Sequence, residues 1–333
     1  ASELVGLDMS EEKSAIEVVV PAQAEIADAP LGRAKIRPVG RFNGHAWEQL
    51  DLPSAIGGRV LVNLCNSAPV FLRRQIIVLH DASVAAMPQN YTFAYRAWYQ
   101  LLINGYLKRA KKLTTVSKFS AEEIAKYFPV KASSIEVIPE SGEHILRAAR
   151  DFSIMERLGL VEDGFFLAVS SFAPNKNFSA VVKAVSLLPK MAFKFVVVGG
   201  QNSAVFNADG ATIKGAVNAG YVSDGELRVL YEKAACFVYP SLYEGFGLPP
   251  LEAMTCGCPV IVSNMASLPE VCADAAIYCD PYDPADIAKV ISKVLGSAQL
   301  RAELREAGLS RAAEWTWKAA ATRMNEVVSE VDV

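Results

Sequence analysis

Apolar residues along this chain gather in short β-branched runs, and between the runs they recur every three or four positions. The runs at 16–20 (IEVVV), 59–64 (RVLVNL), 76–80 (IIVLH), 113–116 (LTTV) and 135–138 (IEVI) predict strands. Helices are predicted at 91–112 and 119–128, the second capped by Ser120, three residues before Glu123, in preference to Ser117. Strands separated by helices predict a parallel sheet, because parallel neighbours need a crossover that packs on the sheet face. The pattern breaks around 150–162, and a second series follows with strands at 165–170 (FFLAVS), 193–200 (FKFVVVGG), 236–239 and 259–263. Its helices are expected from Phe178 with Asn177 as cap, from about Asp224 with Ser223 or Asp224 as cap, twice over 284–314, and last over 315–328. The chain thus reads as α/β, with two Rossmann-like domains at 1–155 and 156–314 and a closing helix at 315–333.

Composition narrows the class. A length of 333 residues with 52% apolar and 21% charged residues suits two cores. A net charge of −3 argues against a general nucleic-acid binder, whose affinity comes from neutralising phosphates. No apolar run approaches the roughly 18 to 20 residues that span a bilayer, and no secretory leader is visible. The six cysteines lack a CxxC pair and mostly sit in apolar runs, which predicts buried free thiols in a reducing cytoplasm. With three histidines, a histidine-rich metal site is not expected.

The candidate chemistry concentrates in Tyr239–Asn264, YPSLYEGFGLPPLEAMTCGCPVIVSN. A buried strand ends at Tyr239–Pro240, a polar loop carries Glu244, Gly245 and Gly247, and a helix is expected to open with Pro249–Pro250. Such a helix start at the carboxyl end of a strand offers unpaired N–H groups and a positive dipole end, a place for an anion. Glu252, eight positions after Glu244, is expected in the first helical turn. A phosphate alone gains nothing from two flanking carboxylates, whereas sugar diols do. The spacing therefore fits a nucleoside diphosphate with a sugar at each end, or equally a helix capped by a glycine-rich loop with glutamates that favour its dipole.

This stretch resembles the Glu-x7-Glu signature of the retaining glycosyltransferases of family 4. The likeness continues through SLPEV at 267–271, AAIYCDPYDP at 275–284 and a late tryptophan pair, Trp315 and Trp317, and covers most of 76–330. The resemblance implies the GT-B fold: an N-terminal acceptor domain and a C-terminal donor domain facing across a cleft, with the last helix crossing back to the first domain. It implies transfer of a hexose from a nucleoside diphosphate sugar to a hydroxyl acceptor with the anomeric configuration kept, mannose and a GDP-sugar being favoured. Glu252 would bind the ribose, Glu244 the hydroxyls of the moving sugar, and the N–H groups near Phe246, Gly247 and Leu248 the phosphates. Lys176, in SFAPNKNF, matches a lysine that contacts the diphosphate, and Ser171 stands where many members carry arginine. By itself a lone loop lysine is ordinarily solvated. Gly199 and the turn Gly220–Tyr221–Val222 match segments that lie against the nucleotide, and His80 matches a histidine facing the donor sugar, where a neutral imidazole would bond a hydroxyl.

Without the resemblance, His80 reads as a strand-end histidine, Asp81 as the cap of the next turn, and Trp315 and Trp317 as core packing. Family members begin with a strand and a glycine-rich loop, whereas this sequence starts in a helical pattern, ASELVGLDMSEEK. No Asp-x-Asp motif occurs in the donor segment, so no metal and no cofactor beyond the donor substrate are expected. Residues 96–112 combine Trp98, Tyr99 and Tyr106 with Lys108, Arg109, Lys111 and Lys112, which suits either a solvated basic face or contact with an anionic membrane. The expected partners are a nucleotide sugar and a glycan or lipid-linked acceptor, at a cytoplasmic location with peripheral attachment open. Two other readings fit the same residues: a nucleotide-sugar epimerase or phosphorylase, and a nucleotide-sugar-binding partner without turnover.

Overall fold

The computed structural model describes residues 16–24, 34–169, 173–190, 192–199 and 216–332. It divides into two units, one made of Ala1–Glu140 with Trp317–Val333 and the other of Ser141–Thr316. The first break thus falls after Glu140, ahead of the 150–162 stretch where the periodicity changes. The helical pattern expected at the start of the chain lies outside the described residues.

In the first unit, β3 (Leu61–Asn63), β4 (Gln75–Val78), β5 (Lys112–Thr115) and β6 (Ile135–Val137) form a parallel sheet in sequential order. The first predicted strand does not join it. β1 (Glu17–Pro21) pairs in parallel with β2 (Lys35–Val39), a strand not foreseen, as a separate two-stranded sheet. Helix α1 (Phe93–Leu107) is shorter than predicted: Thr92 caps it by accepting the Tyr95 N–H, and Tyr91 stands before it in extended backbone. Helix α2 (Lys118–Tyr127) is capped by Ser117, which accepts the Ser120 N–H at 3.0 Å. Ser120 therefore is not the cap; its buried hydroxyl donates to the His80 carbonyl at 2.8 Å. Ile77, Leu79, Ile103, Tyr106, Leu113 and Ile124 make the core of this unit.

The second unit holds a six-stranded all-parallel sheet of β7 (Phe165–Val169), β8 (Lys194–Val198), β9 (Ala216–Gly220), β10 (Cys236–Tyr239), β11 (Val260–Ser263) and β12 (Ala276–Cys279). The strand order is β12-β11-β10-β7-β8-β9, so the winding reverses between β7 and β10. The four inner strands, β11, β10, β7 and β8, are buried on both faces, which is why their sequences are nearly unbroken apolar runs. Each fully buried Val or Ile contributes about 2 kcal/mol. Helices α3 (Phe178–Leu187), α4 (Asp224–Lys233), α5 (Leu248–Thr255), α6 (Pro284–Leu295) and α7 (Ala298–Ala313) belong to this unit, and Val181, Ala184, Ile287, Ile291 and Val294 pack in its core. A full capping box at Ser223 and Glu226 starts α4.

The last helix, α8 (Trp317–Asp332), returns to the first unit. Its Arg323 donates twice to Glu136 of β6, at 2.9 and 2.7 Å. Five cysteines are buried free thiols, whereas Cys65 is exposed. Burial pushes Cys236, Cys256, Cys272 and Cys279 up to about 12, so they are inert at neutral pH.

Candidate active site

In an open parallel sheet, the loops leaving the two strands at the winding reversal splay apart and leave a crevice at their carboxyl ends. Here those strands are β7 and β10. The loop after β7 carries Lys176 and the loop after β10 carries Glu244, and the two side chains meet. The Lys176 ammonium donates to both Glu244 carboxylate oxygens, at 2.8 and 2.9 Å, and to the Tyr239 hydroxyl at 2.7 Å. Tyr239 in turn donates to Glu244 at 2.8 Å, and the Ser241 hydroxyl lies 2.5 Å from the same oxygen. Burial, then the Glu244 charge, hold the Tyr239 phenol well above its usual range, so it stays a donor.

Cross-links between the loops make this cluster rigid. Leu242 N–H donates to the Asn175 carbonyl at 2.7 Å, and Asn175 Nδ2 donates to the Tyr243 carbonyl at 2.9 Å. Asn177 does not cap α3 with its side chain. It takes a left-handed conformation, φ 55°, and its Nδ2 donates to the carbonyls of Pro240 and Pro281 at 3.1 and 2.7 Å. Asparagine tolerates that conformation better than most residues. The buried Ser267 hydroxyl sits within bonding distance of the Glu244 and Phe246 carbonyls, at 3.0 and 2.6 Å. Phe246 packs edge-on against Trp315 at 5.7 Å, so Trp315 braces the loop from a half-buried position.

Gly247 turns the chain into α5 with φ 109°, and a Cβ there would sit 2.7 Å from Leu268 Cδ2. The helix therefore opens with Leu248, one residue earlier than the proline pair suggests. Pro249 and Pro250 have no N–H, which leaves Leu248 and the residues before it as the donors at this end. Glu252 is then the fifth helical residue rather than a first-turn one. Its carboxylate accepts from His144 Nε2 at 2.7 Å, while His144 Nδ1 lies 3.2 Å from the Ser141 carbonyl. Both ring nitrogens face acceptors, and the bond to Glu252 raises the His144 pKa. Gly142 permits this approach: a Cβ would stand 2.5 Å from Thr255 Oγ1, 2.8 Å from the Leu251 carbonyl and 2.9 Å from the Glu252 nitrogen.

All strands of the sheet run the same way, so Gly199 and Gly220–Val222 lie along the same edge as Lys176 and Glu244. Gly199 N–H donates to the Gly220 carbonyl at 2.9 Å, Tyr221 is 90% exposed, and Val222 is buried. Ser171 lies outside the described residues. Neither glutamate is unpartnered: Glu244 holds Lys176 and Glu252 holds His144, pairings that spacing did not foresee. Among the described residues no group of three or more His, Cys, Asp or Glu side chains is placed to hold a metal ion.

In the first unit, His80 follows β4. Its Nε2 lies 2.7 Å from the Leu64 carbonyl and its Nδ1 3.4 Å from Glu140. Burial lowers the pKa of this ring, but the Glu140 and Leu64 bonds outweigh it and the net shift is upward. Both ring nitrogens of His80 thus face acceptors. Asp81 does cap the next turn, accepting the Ser83 N–H at 2.7 Å. Glu140 and His144 were missed by sequence reasoning; the scarcity of histidines, three in all, was the one available signal.

Comparison with known proteins shows the family and the fold. Residues 152–311 match the family model described as glycosyl transferases group 1. Over 266 residues the chain is 33% identical to the O-antigen chain mannosyltransferase B of Escherichia coli, covering 77% of this chain and 70% of that protein. Over 255 residues it is 30% identical to the O-antigen chain mannosyltransferase RfbU of Salmonella typhimurium, covering 75% and 69%. Its fold is similar to that of WaaG, a glycosyltransferase involved in lipopolysaccharide biosynthesis, with a TM-score of 0.73, 16% identity, and 98% and 94% of the two chains covered.

Proposed function

The chain belongs to the group 1 glycosyl transferases and has the GT-B fold, and on that premise we propose that it transfers mannose from GDP-mannose to a hydroxyl of a glycan or lipid-linked acceptor, retaining the anomeric configuration and using no metal. The observation that carries this reading is the meeting of Lys176 and Glu244 at the winding reversal, ahead of the helix start at Leu248. The mannose donor is supported by the two O-antigen mannosyltransferases among its relatives.

In this reading the donor diphosphate rests on the N–H groups near Phe246, Gly247 and Leu248 and draws on the Lys176 ammonium. Negative charge grows on the departing diphosphate, and Lys176 with the α5 dipole stabilises it; a single well-placed donor of this kind contributes about 3 kcal/mol. Sharing Lys176 with the diphosphate loosens its hold on Glu244, whose carboxylate then accepts hydroxyls of the moving mannose. Glu252 takes the ribose hydroxyls, with the base near Gly199 and Gly220–Val222.

No helix among the described residues is long and apolar enough to cross a membrane. Exposed Phe93, Trp98 and Leu101 on α1, near Lys108 and Arg109, support peripheral contact with an anionic membrane where a lipid-linked acceptor would reside. The test compares GDP with UDP by thermal unfolding, then supplies GDP-mannose with and without EDTA and reads the product anomer by NMR. At 100 times its dissociation constant GDP adds about 2.7 kcal/mol of stability. Absence of stabilisation by GDP, or an inverted product, overturns the reading.

A further inference from the structure

The two oxygens of the Glu244 carboxylate are engaged unevenly. Oε1 lies within bonding distance of three donors: the Lys176 ammonium and the Tyr239 hydroxyl, both at 2.8 Å, and the Ser241 hydroxyl at 2.5 Å. Oε2 has one donor among the described residues, Lys176 at 2.9 Å. Each carboxylate oxygen offers about two lone-pair sites. Oε1 is therefore full, and the room for a further hydroxyl is on Oε2. Lys176 is equally occupied. Its ammonium has three protons for three acceptors, Oε1, Oε2 and, closest at 2.7 Å, the Tyr239 hydroxyl. An arriving diphosphate takes a proton from Lys176 only by displacing one of them.

Tyr239 is the acceptor best placed to stay. Its hydroxyl accepts from Lys176 and donates to Oε1, so it links the cation to the carboxylate even where their direct contact is released. Ser241 touches the same oxygen, but its single proton is contested by the Asn175 carbonyl, 2.8 Å from Oγ. The Tyr239 proton has no second acceptor among the described residues. Tyr239 ends β10 and is 3% exposed, so the strand fixes its ring. A buried phenol does not need such partners to be accommodated. Tyr231 on α4 is fully buried and packs edge-on against Phe237 at 5.3 Å, yet its hydroxyl has no hydrogen-bond partner among the described residues. The bonds of Tyr239 are thus not imposed by its burial.

We propose that Tyr239 is a positioning residue for the transfer: its hydroxyl holds Lys176 beside Glu244 Oε1, so that the ammonium reaches the diphosphate while Oε2 is presented to a hydroxyl of the moving sugar. This rests on the transferase reading, in which Lys176 meets the diphosphate and Glu244 the sugar. In the sequence Tyr239 marks only the end of a strand. A phenylalanine there would fill nearly the same volume and leave the cation and the carboxylate without their bridge.

The experiment uses the full chain with Tyr239→Phe, Ser241→Ala and, as the control that loses an unpartnered hydroxyl, Tyr231→Phe. Calorimetry gives the dissociation constant of GDP, release of GDP from GDP-mannose into water gives kcat and KM, and thermal unfolding establishes that each variant is folded. Tyr239→Phe lowers kcat by about tenfold, as expected for a hydrogen bond to a charged group. GDP affinity stays within about twofold, because Lys176 and the α5 helix start are still present. Ser241→Ala lowers kcat by less than Tyr239→Phe does, and Tyr231→Phe changes neither quantity. Wild-type kcat in Tyr239→Phe, with GDP still bound, overturns this inference and leaves the transferase reading standing. Parallel losses of kcat and GDP affinity, or a Tyr239→Phe chain that does not fold, make the hydroxyl a structural bond and also overturn it. An equal or larger loss in Ser241→Ala moves the anchoring role to that residue and overturns it too. Absence of GDP binding or of GDP release in the wild-type chain sinks the transferase reading, and this inference with it.

Discussion

Glu244 and Glu252 stand eight residues apart and look alike in the sequence, yet the structure treats them differently. Glu244 is 8% exposed and sits in a closed network of Lys176, Tyr239 and Ser241, on loops tied together by Asn175, Asn177 and Ser267. Its partner is the Lys176 ammonium, bonded to both carboxylate oxygens. Glu252 instead projects from the fifth position of α5 to His144, an imidazole whose pKa that bond raises. One carboxylate is held by an ammonium inside a closed network and the other by an imidazole whose pKa it raises. Fixed charge suits a group that meets charge developing in the reaction, and adjustable charge suits a group that grips and releases.

The largest effect that sharpens this contrast is expected from Lys176→Ala. It leaves the Glu244 carboxylate, with a side chain 9% exposed, without its cation. Breaking a buried pair on one side costs about 3 kcal/mol, seen as a lower urea midpoint. Transfer falls by about 100-fold at subsaturating donor, near 2.7 kcal/mol at the transition state. Wild-type turnover in this variant breaks the phosphate assignment.

Next, Glu244→Gln and Glu252→Gln separate the two roles. Glu244→Gln keeps a partner for Tyr239 and Ser241 but loses the charge, and kcat falls by about 100-fold. Glu252→Gln leaves kcat within about twofold and raises the donor KM by about tenfold, the signature of lost ground-state binding. Identical kcat losses in both variants erase the distinction. A smaller effect follows from Gly142→Ala, whose Cβ meets the Leu251 carbonyl and the Glu252 nitrogen at 2.8 and 2.9 Å. Overpacking there costs about 2 kcal/mol and separates His144 from Glu252, so KM rises while kcat holds.

How much of this was legible follows from what each signal depends on. Strands β7, β8, β10 and β11 of the second unit were predicted to within a few residues because burial on both faces writes them as continuous apolar runs, whereas β12 was not predicted. The strand Lys35–Val39 was not, since KIRPV carries two charges and a proline and mimics a loop. Alternation of strands and helices predicts a parallel sheet but not its order, so the reversal between β7 and β10 that brings Lys176 to Glu244 became visible only in three dimensions. The same holds for His144 and Glu252, whose partnership spans 108 positions. Asn177 looked like a cap because its neighbours begin a helix; its left-handed backbone turns the amide to Pro240 and Pro281 instead. What sequence conveys well is local periodicity and turn chemistry, and partners across loops are not local.

The smallest effect is the most specific probe of the contrast. Glu252 raises the His144 pKa above its ordinary value near 6.5. A raised folded value means the protonated ring binds better in the folded state. Its stabilisation is therefore complete below about pH 6.5 and disappears as pH rises through the folded value. His144→Gln should then cost most at pH 6 and least at pH 9. The ring is 38% exposed, so solvent screening limits the pair to about 0.5–1 kcal/mol. Asp224 adds a weaker attraction of the same sign. His80 titrates with the same direction of shift in both proteins and cancels in the difference. The measurement is the wild-type minus variant melting temperature from pH 5.5 to 9, repeated with saturating GDP. A difference that stays flat across that range removes the titratable lock and makes Glu252 a second copy of Glu244.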